Sequence, residues 1–319
     1  MKNHLFLAFS MLLIYSCSEG IEVSQSSTDD AAVKSTSFDR DPFESNYKPL
    51  ASERTLIKSV NLYDGLGNEF SNFDVLFDNG IIEEIGKDIA DGDATIIDAK
   101  GKWLTPGIID IHSHMGVYPA PGVRTSSDGN EATSPVTAEV WAEHSIWVQD
   151  PQYALALKGG VTTFHVLPGS ANLIGGRGVT AKNLQRNTIN SMKFPNAPHS
   201  LKMACGENPK RVYGNRGQMP STRMGNAAGY RKSWIKAQGY LSKLDEYEAK
   251  SDEAKELSYK PTRDLELETL AGVLRDEILV HNHCYRADEM ATMIEIAKEF
   301  NYKITAFHHA VEAYKIADL

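Results

Sequence analysis

Two histidines one residue apart, His112 and His114, close the run Trp103-Leu-Thr-Pro-Gly-Ile-Ile-Asp-Ile-His-Ser-His114. Side chains alternate along a strand, so both imidazoles leave the same face, one pleat apart. Imidazoles placed in this way can share one divalent ion at about 2.0–2.1 Å. Ligand-type residues recur downstream, each after an apolar run. Glu207 follows Leu201-Lys-Met-Ala-Cys-Gly206, His283 follows the strand that begins Ile278-Leu-Val280, and His309 ends the run from Tyr302. One histidine at a strand end is commonly a satisfied structural residue. Four strand ends in succession, each carrying a metal-ligand side chain, point to one converging site.

The elements that must position these groups alternate between strand and helix. Pro106 and Gly107 mark a turn, and Ile108, Ile109 and Ile111 give the next strand β-branched bulk, so it is expected to be buried. A loop rich in Gly, Pro and Ser runs from Gly116 to about Pro135. A helix follows, ending at Gly159-Gly160, and then a strand over Val161–Leu167. Strand–helix–strand order implies a parallel sheet with crossover helices. The glycine-rich stretch Asn172–Gly178 lacks both the P-loop Lys-Ser/Thr and the Rossmann spacing; it reads as a loop near a substrate, or as a simple turn. Residues 234–257 read as a charged helical insertion, with Trp234, Ala237, Leu241 and Leu244 at helical spacing. Helices are expected over Glu266–Leu274 and Ala287–Phe300. In a (β/α)8 barrel the C-terminal strand ends converge on one mouth, and the candidate ligands fall at such ends.

The fold class is therefore α/β, a TIM-like (β/α)8 barrel pattern over residues 106–319 with a small N-terminal β domain over 51–105. Within the latter, Asp78-Asn79-Gly80 between two apolar runs is a hairpin signal. Residues 18–50 are polar, rich in Ser, Asp and Thr, and read as a disordered tether. Residues 1–17 carry Lys2, a short apolar run and Ser16-Cys17, the pattern of an export signal that resembles a bacterial lipobox with Cys17 lipidated; plain signal cleavage nearby is the alternative. The protein is thus expected in the bacterial envelope, at the membrane only through a lipid anchor. A net charge of −9 and a pI near 5.6 argue against a nucleic-acid surface. Three cysteines, Cys17, Cys205 and Cys284, are too few and scattered for a disulfide scaffold. Cys205 and Cys284 flank proposed ligands and read as buried strand residues, a thiol nucleophile being the open alternative.

From Thr55 onward the chain resembles the amidohydrolase superfamily, within it the imidazolonepropionase-like and dipeptidase-like enzymes. The segments that carry the resemblance are Thr105–His114, Gly159–Thr163, Gly206–Arg211, His283–Asp288 and His309–Tyr314. The resemblance implies zinc, one or two ions, with His112 and His114 on the first metal and His283 and His309 on the second. Glu207 would bridge them, a role some members give to a carboxylated lysine; Lys202 is the lysine on that strand. His281 and His308 would support or pack. Asn172, Tyr285, Arg286 and His165 are the positions for substrate contacts. The family's catalytic aspartate ends the last barrel strand, beyond Leu319, and Asp110 lies one pleat below His112, inside the barrel. The resemblance thus implies a metal-dependent hydrolase barrel over 106–319, incomplete at its C-terminus, with a small β-sandwich over 51–105: the first part of a longer protein, inactive by itself. The activity implied is attack of metal-activated water on an amide or peptide-like C–N bond of a small molecule. A deacetylase or lactonase on the same fold is an alternative, as is a non-catalytic ligand-binding envelope lipoprotein. The oligomeric state is not fixed by the sequence.

Overall fold

A computed structural model describes residues 36–38 and 41–319. Cys17 and the signal segment lie outside the described residues. Part of the expected tether is inside them, and it is ordered. Phe38 is buried against Leu244 and Ala271. Lys193 donates to the Phe43 carbonyl at 2.7 Å, and the Asn46 N–H donates to the Asn190 carbonyl at 3.0 Å. The polar composition of this stretch hid one apolar anchor and a set of backbone groups able to pair.

Five strands form the first sheet: β1 (Thr55–Tyr63), β2 (Glu69–Asp78), β3 (Ile81–Gly86), β4 (Thr95–Asp98) and β5 (Trp103–Leu104). Their order is β3-β2-β1-β4, with β5 also on β1. Asn79 and Gly80 both take positive φ at the β2–β3 turn, as the Asn-Gly signal requires. Val60, Leu62, Val75 and Ala99 make one small core, and Leu56, Leu76 and Ile89 another.

The second sheet has six strands in the order β11-β10-β9-β8-β7-β6. These are β6 (Ile108–Ser113), β7 (Val161–Val166), β8 (Ile174–Lys182), β9 (Ser200–Ala204), β10 (Leu279–Cys284) and β11 (Ala306–His309). The sheet curls into a nearly closed barrel. The helices are α1 (Gln152–Lys158), α2 (Glu207–Gly214), α3 (Arg223–Glu248), α4 (Asp252–Glu256), α5 (Leu265–Leu274) and α6 (Ala287–Phe300). The α6 range matches its sequence pattern, and its apolar residues join Trp234, Ala237 and the β9 and β10 side chains in the main core.

Three expectations are corrected. The stretch from Ile174 to Gly178 is strand rather than loop, and β8 runs antiparallel to both β7 and β9. The Leu167–Leu173 connection is too short for the crossover that a parallel pair needs. Its glycines suit a tight interior: a Cβ on Gly176 would lie 2.3 Å from the Val140 carbonyl, and one on Gly178 2.6 Å from the Ser200 hydroxyl. Second, β6 is not buried. Ile108, Ile109 and Ile111 are 53%, 63% and 58% exposed, because β6 is an edge strand of the sheet and pairs only with β7. Third, Cys205 and Cys284 are joined in a disulfide that clasps the ends of β9 and β10. They are 79 residues apart in sequence, and only the parallel β9–β10 pairing makes them neighbours.

Candidate functional site

β6 ends in His112 and His114, whose Nε2 atoms are 3.2 Å apart and face one point. The Nδ1 of His114 lies 2.8 Å from the Leu167 carbonyl. A carbonyl only accepts, so Nδ1 carries the proton and Nε2 keeps its lone pair. On the other side of His112, Nδ1 is 2.8 Å from Nδ1 of His308, and Nε2 of His308 is 2.8 Å from Nδ1 of His281.

The register explains the second group. His281 pairs with Lys202 across β9–β10, and His283 pairs with His308 across β10–β11. Residues in register share a face, so Lys202, His281, His283 and His308 all point inward. A regular strand would send His309 to the opposite face. Its positive φ of 64° breaks the alternation, and its ring packs 4.5 Å from His283 and 5.0 Å from His112. Ser170 Oγ lies 3.0 Å from Nδ1 of His283, and the Asn208 amide 3.2 Å from its Nε2.

Lys202 is fully buried in the middle of β9, where its Nζ donates to the Pro168 carbonyl at 3.0 Å. Burial pulls its pKa down to about 7, so a large share of the amine is neutral at physiological pH. The imidazoles are depressed too, burial first and neighbouring cationic groups second: His112, His283 and His308 to about 3 and His281 to about 4, with His114 and His309 also lowered. Neutral rings offer lone pairs. A ring of neutral nitrogen donors around a neutral amine fits a borderline-soft divalent ion such as zinc.

The other sequence candidates have different places. Glu207 opens α2 with an exposed side chain, whereas Lys202 lies near enough to His112, His114, His281, His283, His308 and His309 for its protonated form to lower their pKa values. Asn172 is buried. Its amide nitrogen serves the Glu131 and Ser134 carbonyls and the Thr137 hydroxyl, and its oxygen accepts from Asn130, so it fastens the loop before β8. His165 is held between Thr180 and Ser200 at 2.9 and 2.7 Å and packs on His281. Tyr285 packs 4.5 Å from His283, at the site. Arg286 is exposed, forks onto Asp288 and begins α6. Asp110 accepts the His112 backbone N–H at 3.0 Å. Sequence reasoning passed over Ser170 and Asn208 and set Lys202 aside. The signal for Lys202 was a lysine inside an otherwise apolar strand.

A second group, Asp41, Glu143 and His199, brings three ligand-type atoms together at another place. It already contains its cation. The Lys193 ammonium sits 2.8 Å from Glu143 and touches Asp41, and Arg177 donates to Nδ1 of His199 at 2.8 Å. It reads as a buried ion-pair network.

No protein-family model matches the chain. The amidohydrolase tasK of Hapsidospora irregularis is 35% identical over 265 residues, 77% of this chain and 27% of that protein. A dihydroorotase of a Thermoanaerobacter species is 38% identical over 81 residues, 25% of this chain and 19% of that protein. The crystal structure of an amidohydrolase from Thermotoga maritima is 41% identical, with a TM-score of 0.75 over 82% of this chain and 66% of that one. The chain therefore spans 27% of the length of the first relative and 66% of the solved one.

Proposed function

The chain belongs to the amidohydrolase superfamily, and on that footing we propose that it forms the metal-binding part of a hydrolase cleaving a C–N bond in a small amide or peptide-like substrate. One observation carries the reading: a buried, partly neutral lysine lies in the same inward-facing layer as His281, His283 and His308, at a mouth where His112 and His114 converge. Such a layer is costly to bury unless it serves a ligand.

His112 and His114 would hold one divalent ion through Nε2, and His283 and His309 a second. We assign the bridge to Lys202 rather than to Glu207. Its neutral Nζ would add to carbon dioxide, an N–C bond forming as one C–O π bond opens and the amine proton passes to solvent, to give an anionic carbamate that would serve as a metal ligand. When bound, a divalent ion lowers the pKa of water to about 7 and polarises a substrate carbonyl. Around it, the Leu167 carbonyl fixes the His114 tautomer, Ser170 holds Nδ1 of His283, and the Asn208 amide on His283 Nε2 would give way to the ion. Tyr285 walls the site beside His283 and His309 and would stack on substrate. The Cys205–Cys284 disulfide supports the export reading, because such bonds persist in oxidising compartments.

The test is elemental analysis of the chain after zinc loading and desalting, followed by a panel of N-acyl, dipeptide, lactam and lactone substrates. One to two equivalents of zinc, lowered in H112A/H114A, are expected, and any turnover should be metal-dependent and fall on the C–N substrates. Wild-type protein without bound metal would overturn the proposal, and turnover of lactones alone would turn it to the ester-type alternative.

A further inference from the structure

The loop after His114 holds a cleft of its own, beside the mouth and lined by none of the proposed metal ligands. Tyr118, Val123, Arg124, Ser126 and Ser127 line about 420 Å³ there. Tyr118 belongs to both places, because its ring also stands edge-on to His114 with centroids 5.8 Å apart. The cleft therefore begins one aromatic ring away from the His112/His114 pair.

The loop is tied down at its stems. The Tyr118 N–H donates to the His114 carbonyl at 3.0 Å, and the Asp128 N–H to the Val117 carbonyl at 2.9 Å. Buried Asp150 accepts from the Gly116 and Ala120 N–H groups at 2.9 and 3.3 Å. The Gln152 amide donates to both Asp150 and the Tyr118 carbonyl. The Tyr118 hydroxyl donates to Asn130 Oδ1 at 2.9 Å, and a Cβ on Gly129 would lie 2.2 Å from the ring, so the ring has one seat.

Charge distinguishes this cleft from the other side of the mouth. Arg286, next to Tyr285, forks onto Asp288 at 2.9 and 2.7 Å, and its charge is compensated. Among the described residues Arg124 has no acidic partner, and the Ser126 and Ser127 hydroxyls have no hydrogen-bond partner. In a chain of net charge −9, an uncompensated guanidinium with two hydroxyls in a cleft is suited to an anion. The planar fork of one arginine matches a carboxylate, with two parallel N–H donors for two oxygens. A phosphate dianion would call for more than one positive charge.

We propose that Arg124, with Ser126 and Ser127, is the carboxylate subsite for the substrate, which is then a small amide bearing a carboxylate. The C–N bond would lie at the metal-facing mouth, the carboxylate on Arg124, and the atoms between them along the Tyr118 ring. This rests on the hydrolase reading above and makes Arg124 a specificity-determining residue.

The experiment is calorimetric titration of the full chain, zinc-free and zinc-loaded, with hippurate (N-benzoylglycine) and with hippuramide, its uncharged carboxamide; inorganic phosphate serves as competitor. Hippurate is expected to bind saturably in both forms and hippuramide about 10-fold more weakly. R124Q should weaken hippurate binding about 10-fold or more, leave hippuramide unchanged and keep the wild-type zinc content, and R124K should restore part of the loss. Hippurate and hippuramide bound alike, or R124Q with undiminished hippurate affinity, would overturn the subsite and leave the metal site standing. Phosphate binding more tightly than hippurate would overturn the carboxylate assignment. Wild-type protein that takes up no zinc yet binds hippurate through Arg124 would retire the metal reading and keep the subsite, which separates the two failures.

Discussion

His112 and His308 stand on the two edge strands of the six-stranded sheet, and their Nδ1 atoms are 2.8 Å apart. Strands β6 and β11 do not pair with each other, yet their histidines meet. The sheet must therefore curl far enough to bring its edges face to face at the C-terminal strand ends. That curl is what turns separate strand-end histidines into one site.

Lys202 and Glu207 can be told apart as the bridging residue. K202M keeps the length and burial of the side chain and removes the amine. It is expected to lower bound zinc to one equivalent or less, and E207Q to leave zinc content within twofold of wild type. Metal analysis of the two variants decides. A loss of metal in E207Q with none in K202M would reverse the assignment.

The Cys205–Cys284 bond should matter for stability. It closes a span of 79 residues. Constraining the unfolded chain in this way contributes about 2–4 kcal/mol. C205A/C284A is expected to unfold at lower urea concentration than the oxidised wild type, and prior reduction of the wild type should abolish most of the difference. Superimposable urea curves for oxidised and reduced protein would show that the bond adds nothing.

Acid should weaken the fold through His199. Burial, with the Arg177 guanidinium next, depresses its pKa to about 4 from an ordinary 6.5. The folded state thus favours the neutral ring and binds fewer protons than the unfolded state between those values. Its stabilisation is complete above pH 6.5 and is lost as pH falls toward about 4, on the order of 3 kcal/mol in full. H199N should unfold with a shallower pH dependence across this window. An equal slope in urea midpoints from pH 8 to 5 would show that His199 is not the group responsible.

Cys17 is proposed as the lipidated residue of an exported chain. C17A is expected to move the protein from the membrane to the soluble fraction of cells that export it. Unchanged membrane association after fractionation would remove the lipid anchor from the reading.

The sequence by itself determined the parts governed by local rules. The Asn79-Gly80 turn, the amphipathic pattern of Ala287–Phe300 and the position of His112, His114, His283 and His309 at strand ends all follow from turn chemistry and side-chain period, which a short window contains. Tertiary structure decided what depends on partners distant in sequence. Whether Ile109 is buried depends on a neighbour beyond the edge of β6, and whether Cys205 is a thiol depends on Cys284. The direction of β8 follows from the short connection and from the backbone approach its glycines permit. Lys202 looked unpromising because it lies within a strand rather than at its end. Pairing in register with His281 placed it in the inward-facing layer, and burial there lowered its pKa to about 7, a shift no residue type carries by itself.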